Sequence, residues 1–260
     1  MSPWIWPLIA WGIAAVLMVA VWMLQRRIGD AGIVDVAWTY TVGLFGVAFA
    51  VLADGLPERR LAIGIIVALW SLRLGTHVLI RVMRHAEDGR YVTLKQQWGD
   101  AAQRKLAQFY QYQAFGAALF AIPMLAASLS DRPFGWHDIA AIVIAVVSWS
   151  GEAWADAQLA RFKADPANRG QVCRVGWWRL SRHPNYFFEW LHWWVYVLFA
   201  WGTWLLPVAL LGPIAMFWFI VFVTGIPPTE RQSLASRGEA YRRYQQTTSP
   251  FFPWFPSQER

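Results

Sequence analysis

Residues 4–24 read WIWPLIAWGIAAVLMVAVWML, a run without a single charge, and they are followed at once by Gln25-Arg26-Arg27. A helix needs about 20 apolar residues to cross the hydrocarbon core of a bilayer. The run follows only Met1-Ser2-Pro3, with no basic segment ahead of it, so it is expected to be a retained first span and not a cleaved leader. Runs of similar length recur, and the spans are predicted at roughly 4–24, 32–52, 61–83, 108–129, 137–157, 186–205 and 207–226. Breaks are marked by Arg26-Arg27-Ile28-Gly29-Asp30, Asp54-Gly55-Leu56-Pro57 and Asp131-Arg132-Pro133. A short turn at Gly202 and Pro207 makes the last two spans an antiparallel pair. The expected fold is an all-α integral membrane bundle of seven transmembrane helices. It forms a single domain over 1–260, with substrate-side helices in 1–107 and cofactor-binding helices and loops in 108–260.

Composition agrees with this reading. The chain of 260 residues is 57% hydrophobic and only 15% charged, too little polar surface to enclose a soluble core of this size. The net charge of +7 sits between the apolar runs, which favours anionic lipid head groups and an anionic cofactor over nucleic acid as partners. The one cysteine, Cys173, excludes an internal disulfide and a cysteine metal cluster, and no metal site is expected. Lys and Arg concentrate in residues 84–107, in 158–185 and in the tail, where Arg231, Arg237, Arg242, Arg243 and Arg260 lie. The opposite loops hold Arg59, Arg60 and Arg132. The positive-inside rule then puts the N-terminus outside and the C-terminus in the cytosol.

Ionisable residues inside apolar spans are costly and face the bundle interior. The second span carries Asp35, and the third carries Arg73, His77 and Arg81 at i, i+4 and i+8. The fifth ends with Glu152 and Asp156, with Lys163 beyond, and the sixth opens with Asn185 and Glu189, followed by His192. Bland alternatives stand beside a functional pocket. Asp35 is read also as a structural partner of Arg73 or His77, Arg81 and Arg84 as snorkelling side chains, and His192 as packing. The run Arg174-Val175-Gly176-Trp177-Trp178-Arg179-Leu180-Ser181-Arg182-His183-Pro184-Asn185-Tyr186 places arginine forks beside a helix that starts near Pro184. Free N–H groups and guanidinium pairs suit a di- or triphosphate, and lipid phosphates are the alternative ligand.

From Gly176 to Glu189 the chain resembles the C-terminal signature of the steroid 5-alpha-reductase family. The likeness extends to Asp35–Trp38, Glu87-Asp88-Gly89-Arg90-Tyr91, Trp98-Gly99, Gly225–Arg231, Tyr241–Tyr244 and Ser249-Pro250-Phe251, which resemble a bacterial branch of that group. The His-Pro-x-Tyr element is shared with membrane sterol reductases and with isoprenylcysteine carboxyl methyltransferases, which use S-adenosylmethionine. The resemblance implies NADPH as cofactor, held by Asp156, Lys163, Arg174, Arg179, Arg182, His183, Asn185, Tyr186, Glu189 and Glu230, with Arg242 and Tyr244 closing over it. It implies Asp35 as counterpart of a substrate-orienting glutamate. The third span has no tyrosine to match the family's second orienting residue, and Tyr91 lies beyond it. Arg73, His77 and Tyr91 complete the candidate catalytic set. The implied reaction is hydride transfer from NADPH to a lipophilic enone of the 3-oxo-4-ene steroid type in a bacterial inner membrane. A methyltransferase and a non-catalytic scaffold or transporter are the competing readings. Asp35, buried and protonated, or His77 as imidazolium, is the expected donor to the carbonyl oxygen.

Overall fold

The computed structural model describes residues 2–84 and 86–257; Arg260, counted above, lies outside the described residues. Among the described residues every element is helical. In chain order these are α1 (Trp6–Ile28), α2 (Ile33–Leu52), α3 (Pro57–Arg84), α4 (Gly89–Trp98), α5 (Ala102–Ser128), α6 (Trp136–Ala164), α7 (Trp177–Leu180), α8 (Pro184–Phe199), α9 (Leu206–Ala209), α10 (Leu211–Trp218), α11 (Ile226–Arg237) and α12 (Glu239–Thr247). Five stretches are long and apolar enough to cross a membrane: Pro3–Ile28, α2, α3, α6 and Leu206–Arg237.

The chain divides into two compact units, one of Met1–Ile139 with Tyr196–Gly212, the other of Ala140–Val195 with Pro213–Arg260. In the first, α1 packs on α5, and α2 packs on both α3 and α5. The α1–α5 seam is made of small and flexible residues at helical spacing. Ala10, Ala14 and Met18 meet a stripe of Leu106, Tyr110, Ala114, Ala118, Ala121 and Leu125. Small side chains let helix backbones approach where lipid offers no hydrophobic gain for association. Much of the rest of α1, including Leu8, Val16 and Met23, is exposed, as a lipid-facing surface requires. The α2–α3 seam is closer still. A Cβ on Gly43 would fall on the Ser71 side chain, and one on Gly75 would fall on the Tyr40 ring.

At one end of this unit Arg59 is wholly buried. It gives two hydrogen bonds to the Asp138 carboxylate (2.6 and 3.1 Å) and others to the Ser130 carbonyl (2.8 Å) and the Arg132 carbonyl (2.9 Å). Arg59 was expected as an ordinary loop cation. It is instead the clasp that holds the start of α3 to the α5–α6 connection. At the other end α4 pins the α1–α2 turn. Gly29 caps α1 at φ +79°, and its carbonyl accepts from Lys95 Nζ (2.7 Å), while Glu87 takes both Lys95 (2.7 Å) and the Ala31 N–H (2.6 Å).

The second unit is organised by α7 and the chain end. The Trp178 indole donates to the Ala155 carbonyl of α6 (2.8 Å), and the Trp177 N–H to the Gln158 side chain (3.0 Å). The Tyr244 hydroxyl of α12 donates to the carbonyls of Trp178 and Ser181. Residues 249–257 then fold back along this segment. The Arg182 N–H bonds Ser249 O and the Trp254 N–H bonds Leu180 O, both at 2.9 Å. Phe251 is buried among Phe187, Trp190 and Phe217.

Helix limits differ from the sequence expectations where polar residues continue a helical turn. α5 starts at Ala102 instead of 108, and α6 runs to Ala164 instead of 157. The expected span 207–226 is not one regular helix. α9 and α10 are separate, Phe219–Val223 forms a π-helical turn, and Gly225 precedes α11. Pro227 and Pro228 fall in the first turn of α11, where no intrahelical donor is lost, so the expected tail is helical through Arg237.

Candidate functional sites

In the first unit the site is built around Asp35, in the first turn of α2. One carboxylate oxygen accepts the Tyr91 hydroxyl at 2.7 Å; the other receives Arg90 at 3.2 Å and Arg81 at 3.6 Å. Arg90 is itself aimed by Asp88, which caps α4 through the Arg90 N–H (2.9 Å) and grips the guanidinium at 3.1 and 3.0 Å. Asp88 is therefore both helix cap and orienter, which is why an Asp two residues before an Arg matters here. Burial works to raise the Asp88 pKa, but hydrogen bonds and charge from Arg90, with Arg81, outweigh it and hold the carboxyl below its usual range. Tyr91 is buried, and burial together with the Asp35 charge pushes its phenol well above the ordinary value. The phenol thus keeps its proton and stays a donor.

Asp35 was expected either as a carbonyl donor when protonated or as a structural partner of Arg73 or His77. The geometry makes it an acceptor, with Tyr91, Arg90 and Arg81 around it. Arg81 does not simply snorkel; it reaches both Asp35 and, at 3.8 Å, Asp88. Arg73, His77 and Arg81 fall along one continuous helix as predicted, but His77 is exposed and Arg73 is half-buried. Arg90 and Asp88 were the residues missed. The signal was present in Asp88-Gly89-Arg90, a cap sequence directly before Tyr91.

In the second unit Glu230 of α11 is the hub. One oxygen receives Arg182 Nε at 2.6 Å, His183 Nε2 at 3.3 Å and the Tyr241 hydroxyl at 3.4 Å; the other receives Gln245 at 2.7 Å. Arg182 also donates to the carbonyls of Thr248 (2.6 Å) and Gln245 (3.0 Å). His183 stacks on Tyr186 with ring centres 5.2 Å apart, and Tyr186 bonds Thr229 at 3.1 Å. Burial lowers the His183 pKa, against the opposing pull of Glu230, so the ring is held neutral. Asn185 donates to Asp156 at 3.2 Å, and Glu189 accepts the Trp193 indole at 3.4 Å.

The twelve expected cofactor residues therefore separate by role. Arg182, His183, Tyr186, Glu230 and Tyr244 join α7, α8, α11 and α12 to one another, and the guanidinium of Arg182 is used in that task. Lys163, Arg174, Arg179 and Arg242 are exposed. Arg174 lies over the Tyr244 ring (5.4 Å) and Arg242 reaches Glu239 at 3.7 Å. Asp156 and Asn185 supply a half-buried acceptor and amide, and Glu189 is buried on α8 where it accepts the Trp193 indole. Among the described residues no cluster of His, Cys, Asp and Glu has the arrangement of a metal site.

No curated protein and no solved structure matches the chain. A family model does match, over residues 21–248, which takes in both clusters and every helix from the end of α1 to α12. The chain therefore belongs to the membrane-protein family described as protein of unknown function, DUF1295.

Proposed function

We propose that the protein is a membrane-embedded reductase that uses NADPH to reduce the carbon–carbon double bond of a lipophilic enone, a 3-oxo-4-ene steroid or a related compound. The observation that carries the reading is the Asp35–Tyr91 pair. A carboxylate and a buried phenol, 2.7 Å apart, form the acid–tyrosine combination expected for orienting a substrate ketone. The tyrosine comes from α4 and not from the third span. Rotation about its C–O bond turns the hydroxyl hydrogen from Asp35 to a ketone oxygen held against the phenol, and Arg90 and Arg81, at 3.2 and 3.6 Å from Asp35, add positive charge to the same cluster. Donors and charge aimed at an oxygen that becomes negative lower the barrier to hydride addition at the beta carbon. NADPH, when bound, supplies the hydride. Exposed Lys163, Arg174, Arg179 and Arg242 are the residues to hold its phosphates, with bidentate arginine geometry suited to them.

The reading includes seven crossings, the N-terminus outside and the C-terminus in the cytosol of a bacterium. The orientation is supported by the concentration of Lys and Arg in residues 84–107, 158–185 and the tail, against Arg59, Arg60 and Arg132 in the opposite loops. A specific ligand stabilises the folded state by mass action, so melting of the detergent-purified chain separates the cofactors. NADPH is expected to raise the melting temperature and S-adenosylmethionine to leave it unchanged. The reverse result would favour a methyltransferase.

A further inference from the structure

The stretch Phe251-Phe252-Pro253-Trp254-Phe255-Pro256-Ser257 is a pinned loop that turns Trp254 and Phe255 outward. The Trp254 N–H is bonded to Leu180 O and the Ser257 N–H to Thr247 O, both at 2.9 Å, and Phe251 is buried as an anchor. Between these fixed points Trp254 is 73% exposed and Phe255 82% exposed. Exposed aromatics on a loop held at both ends do not collapse inward, so their exposure is a property of the fold. Flanking Pro253 and Pro256 offer no backbone N–H that burial in lipid would strand.

Three observations say what covers them. First, the loop's level is fixed. Leu180 ends α7, and α7 is hydrogen-bonded through Trp177 and Trp178 to Gln158 and Ala155. There the apolar sequence of α6 gives way to Asp156, Gln158, Arg161 and Lys163, the height at which a spanning helix leaves the bilayer. Second, the neighbours are basic. Arg179 directly precedes Leu180, and Arg242 and Arg243 are exposed on α12, where Arg242 reaches Glu239 at 3.7 Å. Third, the residue types are those of a membrane interface, where tryptophan places an apolar ring and a polar N–H across the head-group layer.

We propose that Trp254 and Phe255 form an interfacial anchor, seated among the head groups of the bilayer that this chain's own helices cross, with Arg243 turned to anionic lipid phosphates. The anchor fixes α12, and through Gln245 and Tyr241 the Glu230 network, at a set height on the membrane. The test uses the full chain in vesicles of phosphatidylcholine and phosphatidylglycerol, with the photoreactive p-benzoylphenylalanine replacing Phe255 or, in a second protein, Trp254. Reference probes replace Val16, on the exposed face of α1, and Arg169, beyond the end of α6. After irradiation, mass spectrometry is expected to find lipid adducts at 255 and 254 as at Val16, and few at Arg169. Adducts at both loop positions as scarce as at Arg169, or adducts chiefly to a second copy of the chain, would overturn the proposal.

Discussion

Arg59→Met is the substitution whose cost follows most directly from the coordinates. Methionine keeps much of the side-chain length but removes the guanidinium. Lost with it are two hydrogen bonds to Asp138, two to Ser130 (2.8 and 3.0 Å) and one to the Arg132 carbonyl. Asp138 is left wholly buried with Arg132 at 3.2 Å and the Gly135 N–H at 2.9 Å. Breaking one side of a buried ion pair costs about 3–5 kcal/mol, because the remaining charge stays desolvated. The surviving partners of Asp138 place the expected loss at the lower end, about 3 kcal/mol. For a chain of this size that lowers the melting temperature by roughly 6–12 °C, readable by tryptophan fluorescence of the protein in detergent. Asp138→Asn on top of Arg59→Met removes the stranded charge and should recover part of the loss, with a coupling of about 1–3 kcal/mol. Arg60→Met is the control. Arg60 donates to the Ala50 and Val51 carbonyls at the end of α2, without a buried acid, and should change stability by about 1 kcal/mol or less. If Arg59→Met melts with the Arg60 control, the clasp does not hold the fold and the reasoning fails.

Further outcomes follow from the two clusters. Tyr91→Phe should lower the turnover of enone reduction by about 10²–10³-fold while sparing the melting shift given by NADPH, the pattern of a lost oxyanion donor. Asp35→Ala should also abolish reduction and spare NADPH binding, and full activity would remove Asp35 from the mechanism. Arg182→Gln should destabilise the chain by about 2–4 kcal/mol through the stranded Glu230, whereas Arg174→Ala and Arg179→Ala should weaken the NADPH-induced shift with little change in the unliganded melt. Stability should also fall in mild acid. His183 has its folded pKa lowered by burial, so the unfolded chain binds the proton more readily, and the contribution is complete above about pH 6.5 and is lost as pH drops below it; His183→Gln should flatten a pH-melting curve between neutrality and pH 5.

The helices were legible where apolar periodicity decides them. α2 and α3 begin and end within a few residues of the predicted spans, and Asp35 stood out because a carboxylate in an apolar run has few bland explanations. The ends of α5 and α6 were not legible, because Gln103–Lys105 and Gln158–Lys163 continue helical turns in polar sequence that looks like loop. Nor was the interrupted path from α9 to α11. Leu206–Val223 is uniformly apolar, and nothing in its composition marks a π-turn. In the site, local patterns succeeded and distant partners did not. Asp88-Gly89-Arg90-Tyr91 carries its own cap, but that Tyr91 returns to Asp35 depends on α4 folding back over the α1–α2 turn through Lys95 and Glu87. Arg182 looked like a phosphate ligand because arginine near a helix start often is one. Its partners, Glu230 and the Thr248 carbonyl, lie some 50 to 65 residues on, and only tertiary structure brings them there.

The central claim is chemical and is tested by following the nicotinamide absorbance of NADPH with the purified full-length protein and a 3-oxo-4-ene steroid. The account predicts a decay that requires protein, NADPH and enone together, yields the saturated ketone, and is lost in Tyr91→Phe. A flat trace with properly folded protein that nonetheless binds NADPH, or a decay unchanged in Tyr91→Phe, would contradict it.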